Sequence, residues 1–162
     1  MSGDDQAATG TAGARPAELP LATYGTLRRG ERNAAFLAGA TYLGTGRIAG
    51  RLHEMRSAPT RPYLYPSCLD PGEGVPAIVV ELYGIDRATL AEIDALEAFD
   101  PADEAGSEYV RRAVDVAGGP VDRAWVYVYN GPPGEVGPPI PDGDWVRHRL
   151  RTEGGPPSHA TD

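Results

Sequence analysis

Leu19-Pro20-Leu21-Ala22-Thr23-Tyr24-Gly25-Thr26-Leu27-Arg28-Arg29-Gly30 decides how this chain folds. Residues 19–24 are β-compatible and run straight into a glycine, then into basic residues and a second glycine. Residues 31–38 follow as a short helix, with Gly39 placed to stop it. A strand-to-helix turn leaves backbone N–H groups pointing outward with the helix dipole behind them. It can therefore hold anionic or carbonyl oxygen.

The rest of the chain bounds what such a turn can serve. At 162 residues the length favours one domain with a sizeable core. The 21 glycines and 16 prolines call for many turns and exclude a long helical bundle. A formal charge of −8 argues against nucleic acid or an anionic membrane surface as partner. Cys68 is the single cysteine, so no intramolecular disulfide can form, and a buried structural thiol is the default. The polar first twenty residues lack a signal-peptide core and no later run could span a bilayer, so a cytoplasmic protein is expected.

Outward from the opening turn, the sequence predicts a domain over residues 19–150 between disordered tails, 1–18 and 151–162. Residues 41–55 read as strand punctuated by Gly44, Gly46 and Gly50. The apparent dinucleotide fingerprint Gly44-x-Gly46-x-x-Ala49 is rejected because an alternating strand pattern follows it, and the glycines are read as bends in a strand. Residues 63–65, 75–85, 109–116 and 123–129 supply further extended segments. A helix capped by Asp86 spans residues 87–98. The Pro/Gly-rich arm 131–143 is expected to wrap the surface without forming an element. The sum is an α+β fold: about six strands around a small closed or nearly closed β-barrel, with two short helices.

One carboxylate stands out. At about 100° per residue, Leu90, Ile93 and Leu96 define an apolar helix face, and Glu97 falls between Leu90 and Ile93. Glu92 and Asp94 fall at its edges or outside it. Glu97 is thus expected to point inward, where desolvation raises its pKa and suits it to shuttle protons. The bland alternative is a glutamate at a frayed helix end, snorkelling to water. His53, His148 and His159 are scattered without metal-ligand spacing, so no metal site is expected. Ser57, Ser67 and Ser107 have no recognisable base partner, and no P-loop occurs. Trp125, Tyr127 and Tyr129 share one face of a strand. Core lining is their default role, with a tyrosine hydroxyl on substrate as the alternative.

Five stretches in order resemble the γ-glutamylcyclotransferase-like family, in its avirulence-induced-gene-like and γ-glutamylamine cyclotransferase branch. They are Tyr24-Gly25-Thr26-Leu27, Ile93-Asp94-Ala95-Leu96-Glu97-Ala98-Phe99 (similar to "LDxLEGy"), Tyr109-Val110-Arg111 ("YxR"), Ala124-Trp125-Val126-Tyr127-Val128-Tyr129, and Gly143-Asp144-Trp145 ("GDW"). The resemblance implies a small mixed β-barrel with flanking short helices, and release of 5-oxoproline from a γ-glutamyl amine or amide without metal or cofactor. It implies Glu97 as general acid/base. It implies Tyr24, Gly25, Thr26 and Leu27 as substrate-binding, with Tyr109 and Tyr127 added from the two later motifs. The partner would be a small γ-glutamyl molecule, and no oligomeric state follows. Family barrels that bind such a ligand without turning it over form the alternative. Arg28 and Arg29 are then read as surface charges. Ala98 stands where the family has glycine, which could tighten the turn after Glu97. The acidic stretch 100–108 is read as a solvated loop, or as a rim favouring an amine-bearing leaving group.

Overall fold

A run of β-branched residues, Ile78-Val79-Val80, builds the central strand β5 (Pro76–Gly84) in the computed structural model, which describes residues 19–55 and 63–153. Its Ile78, Val80 and Leu82 are all but fully buried. β5 pairs antiparallel with β2 (Thr41–Ala49) on one side and with β1 (Leu21–Thr23) on the other. β1 joins β7 (Arg123–Tyr129), which also pairs with β6 (Tyr109–Asp115) and β4 (Tyr65–Leu69). β4 leads on to β3 (Arg51–Met55) and then to β8 (Val136–Pro139). The result is an α+β fold with one eight-stranded sheet in the order β2-β5-β1-β7-β4-β3-β8, with β6 attached to β7 off that path.

The sheet path is open rather than closed into the expected barrel. β2 and the segment after β6 pack together but pair through an isolated bridge between Arg47 and Ala117. Gly50, with φ of 139°, separates β2 from β3, where a Cβ would sit 3.1 Å from the Leu69 carbonyl oxygen. A register shift falls between Tyr42 and Gly44. The glycine-punctuated stretch is therefore two strands that break at Gly50, with no helix between them, as its alternation implied.

β7 has a geometry on which the site depends. β6 pairs with all seven of its residues along one edge. β1 and β4 must then share the other edge, and each joins it through a single parallel partner pair: Leu21 with Trp125, and Cys68 with Val128. The two strands fork there. At the crotch, Gly25 lies so close to β4 that a Cβ would come within 2.6 Å of Pro66 Cγ.

Three expectations are corrected. The segment 31–38 makes only a 3₁₀ turn, Ala34–Leu37, because the Asn33 amide and side chain both bond back to Thr26 and hold the chain against the loop. The arm 131–143 does form an element. After a 3₁₀ turn at Pro133–Glu135, β8 pairs with β3 at the sheet edge, where a proline leaves no ladder bond unmade on the open side. The expected tail from residue 151 begins inside a helix, α2 (Trp145–Glu153). Its Trp145, His148 and Arg149 are buried against polar partners, so no apolar period announced it. Residues 1–18 and 154–162 lie outside the described residues. Among those described, no helix is long and apolar enough to cross a membrane.

Helix α1 (Arg87–Leu96) follows its capping chemistry: the Asp86 side chain accepts from the Thr89 amide at 2.7 Å. Glu97 is its C-cap. The Ala98 amide donates to the Ala95 carbonyl at 3.1 Å and the Phe99 amide to the Asp94 carbonyl at 2.9 Å, the pair of bonds that closes a Schellman motif. That motif needs a left-handed residue after the cap, and here it is Ala98, with φ of 56°. Left-handed alanine costs about 1 kcal/mol relative to glycine. Ala98→Gly is thus expected to stabilise the protein by about that amount in urea unfolding. A loss of stability would contradict the strain.

Candidate functional site

The loop after β1 is fixed from behind by buried charge. Arg28, expected at the surface, is only 8% exposed. Its Nε donates to Glu81 Oε2 and its guanidinium to Asp144 Oδ1, both at 3.0 Å. The Arg29 amide and the Tyr83 hydroxyl donate to Glu81 Oε1 at 2.9 and 3.0 Å. Glu81 lies on β5 opposite Thr23, so one carboxylate ties the loop to the sheet at the strand's end. Arg29, by contrast, is exposed, with its guanidinium over the Tyr42 ring. A second buried carboxylate, Glu31, accepts from Trp145 Nε1 at 3.0 Å and from Arg149 Nε at 2.8 Å, docking α2 onto the loop.

Tyr24 occupies the fork itself. Its hydroxyl donates to the Tyr127 carbonyl on β7 at 2.7 Å. Burial first, and then the neighbouring acids Tyr109, Cys68 and Glu97, hold this phenol well above its ordinary pKa; the Cys68 amide opposes them. Tyr24 is therefore a neutral phenol whose polar atom is committed to the scaffold. Cys68 is buried and pushed up to about 12 by burial and by Asp70, an inert thiol as its neighbours implied.

In front of this fork lies a cleft lined by residues 22–27, Tyr65, Pro66, Glu97, Tyr109 and Tyr127. All seven residues assigned from the sequence thus come together: Glu97, Tyr24, Gly25, Thr26, Leu27, Tyr109 and Tyr127. Glu97 is half-buried, whereas Glu92 is exposed. Among the described residues none accepts a hydrogen bond from the amides of Gly25, Thr26 or Leu27, since the loop's backbone bonds use its carbonyls. Amides without protein partners beside a carboxylate can receive a substrate's carbonyl or carboxylate oxygens while that carboxylate exchanges protons.

Asp94 is the residue that sequence reasoning misplaced. It is buried, not peripheral. Arg111 holds both of its oxygens, Nε to Oδ1 at 2.9 Å and the terminal nitrogen to Oδ2 at 3.1 Å. The Tyr127 hydroxyl adds a third bond to Oδ1 at 2.5 Å. Burial, and then this Asp94 contact, raise the Tyr127 phenol, with Arg111 opposing. A signal existed: both Asp94 and Arg111 stand inside recognised motifs and carry opposite charge. The Tyr109 hydroxyl shares a short hydrogen bond with Ser67, closing the cleft wall between β6 and β4. The acidic stretch 100–108 is largely engaged with itself and its neighbours. Asp100 accepts from the Ala102 amide, Asp103 from the Gly106 amide, and Glu104 pairs with Arg112. Its last residue, Glu108, lines a second groove with Tyr129 and Glu135, adjoining the cleft through Tyr65. Among the described residues no cluster of histidine, cysteine and acidic side chains could hold a metal ion. Ser57 and His159 lie outside those residues.

Comparison with known proteins gives this arrangement its context. The family described as "Gamma-glutamyl cyclotransferase, AIG2-like" matches residues 21–147. The Escherichia coli K12 protein named "Gamma-glutamylcyclotransferase family protein YtfP" is 34% identical over 129 residues, covering 79% of this chain and 96% of the relative. A Niallia circulans protein named "Gamma-L-glutamyl-butirosin B gamma-glutamyl cyclotransferase" is 32% identical over 120 residues, covering 68% of this chain and 66% of that one. Among solved structures, an uncharacterized protein from Pyrococcus horikoshii superposes with a TM-score of 0.61 at 27% identity, over 85% of this chain and 98% of that one. A mouse AIG2-like protein shares the fold, with a TM-score of 0.55 at 23% identity over 75% of this chain and 82% of that one.

The buried pairing behind the loop makes its own prediction. Arg28→Met keeps the aliphatic stem but leaves Glu81 buried without its cation, which costs about 3 kcal/mol. Urea unfolding should show that loss, and a change below about 1 kcal/mol would place the pair in effective contact with water.

Proposed function

This chain belongs to the γ-glutamyl cyclotransferase, AIG2-like family, and we propose that it closes the γ-glutamyl group of an amine or amide into 5-oxoproline, releasing the free amine. One observation carries the reading: Glu97 and the Gly25–Leu27 loop, whose amides find no acceptor among the described residues, line the same cleft. In the proposed step the substrate's α-amine nitrogen attacks its own γ-carbonyl carbon. A new N–C bond closes the lactam and the bond to the departing nitrogen breaks. Glu97 accepts the proton lost by the attacking amine and delivers it to the leaving nitrogen, so one carboxylate serves both transfers. The amides of Gly25, Thr26 and Leu27 stabilise the negative charge on the carbonyl oxygen.

The step is redox-neutral, and its protons pass through a side chain of the cleft, so it calls on no cofactor. Nucleophile and electrophile belong to one molecule, and the cleft's main task is to select the folded-back conformer. Tyr109 and Tyr127 wall that space, and Tyr24 shapes it with its ring while its hydroxyl holds the fork.

The direct test is Glu97→Gln, which removes the proton shuttle at nearly constant volume. With a panel of γ-glutamyl amines and amides and mass-spectrometric detection of 5-oxoproline, the folded variant is expected to lose at least about 100-fold in turnover. Undiminished turnover would overturn the mechanism. Wild-type protein that binds a γ-glutamyl compound yet releases no 5-oxoproline would replace catalysis with ligand binding.

A further inference from the structure

Glu97 sits at the end of α1, where a helix ordinarily frays. Its carboxylate must nevertheless hold one position if it is to exchange protons with two different nitrogens. The anchor lies one turn earlier. Asp94 is three residues before Glu97, a separation that puts both side chains on neighbouring parts of the same helix surface. It is gripped from two strands at once, by the Arg111 fork from β6 and by the Tyr127 hydroxyl from β7. The carbonyl of the same residue accepts the Phe99 amide, closing the turn that contains Glu97. Phe99 in turn packs edge-on to the Tyr127 ring at 6.5 Å, and the Arg111 guanidinium lies 5.4 Å from the Phe99 ring and 4.7 Å from that of Trp125. The side chain and the carbonyl of Asp94 thus fix the turn on both sides.

Charge and donor accounting make the arrangement specific. Asp94 and Arg111 cancel, so they orient the helix end without adding net charge beside Glu97. The Tyr127 proton is spent on Asp94. Two parallel N–H···O bonds set direction as well as distance, which a lysine could not reproduce.

We infer that Asp94 and Arg111, with the Tyr127 hydroxyl as third member, are positioning residues that hold Glu97 in the cleft for proton transfer. The inference rests on Glu97 as the proton shuttle, and its chemistry supplies a readout that loss of fold would not mimic. A displaced Glu97 fails most where the departing nitrogen most needs a proton. A γ-glutamyl alkylamide, whose leaving amine is strongly basic, should suffer more than a γ-glutamyl p-nitroanilide.

The test measures kcat and KM on both substrates for Asp94→Asn, Arg111→Gln, Arg111→Lys and Tyr127→Phe, with Glu97→Gln alongside and thermal melts confirming folded protein. Asp94→Asn and Arg111→Gln are expected to lower kcat on the alkylamide about 100-fold, the effect of roughly 1 Å of misplacement, with KM within about threefold. The loss on the anilide should be at least about fivefold smaller, and Arg111→Lys should lie between wild type and Arg111→Gln. Folded Asp94→Asn and Arg111→Gln proteins with wild-type kcat, or with equal losses on both substrates, would overturn the inference. Should those two variants not fold, Arg111→Lys and Tyr127→Phe carry the same comparison, and equal losses there would overturn it. An inactive Glu97→Gln beside wild-type Asp94 and Arg111 variants refutes the positioning role alone. A fully active Glu97→Gln refutes the proton-shuttle reading, and the positioning role falls with it.

Discussion

One edge of β7 cannot be paired along its length by two strands, and the site exists because two strands attempt it. β6 takes the other edge completely, so β1 and β4 each claim a single partner pair and diverge. Where strands diverge, backbone groups lose their ladder partners. Tyr24 answers this need locally, its hydroxyl donating to a carbonyl of β7. Next to the end of α1, the amides of Gly25, Thr26 and Leu27 find no acceptor among the described residues. A cleft in this fold is therefore a consequence of strand bookkeeping rather than a feature carved into a finished sheet.

Three buried carboxylates hold that geometry, and each is matched to cations and neutral donors from distant parts of the chain. Glu81 with Arg28 fixes the loop, Glu31 with Arg149 and Trp145 docks α2, and Asp94 with Arg111 and Tyr127 fixes the end of α1. Buried ion pairs of this kind are weak contributors to net stability, because desolvation opposes attraction. Their effect is directional. A charge left without its partner is so unfavourable that alternative packings are suppressed, and the site's two halves, loop and carboxylate, are each held by one such pairing.

Much of this was legible in residue order. The Asp86 cap and the apolar face of Leu90 and Ile93 follow from capping chemistry and from the helical period. The alternation after Gly46 distinguished a strand from a nucleotide-binding helix, and β2 and β3 bear that out. The errors share a cause. Arg28 and Asp94 read as surface charges because a charged residue is buried only where a partner waits, and their partners lie far away in sequence. β8 and α2 were missed because prolines and arginines mask an element whose stability comes from its neighbours: the Ile140 amide bonds to the Leu52 carbonyl, and Arg149 to Glu31.

By itself, then, the sequence determined the α+β class, the glycine turn after the first strand, the helix that begins after Asp86 and the family to which the chain belongs. These depend on period, on capping and on turn chemistry, all of which act within a few residues. Only the tertiary structure decided that the sheet path stays open, that Arg28 and Asp94 are buried, and that Tyr24 spends its hydroxyl on the scaffold. Those outcomes depend on which strand reaches an edge of β7 first and which buried charge finds its counterion, and both are settled by chain segments meeting in space.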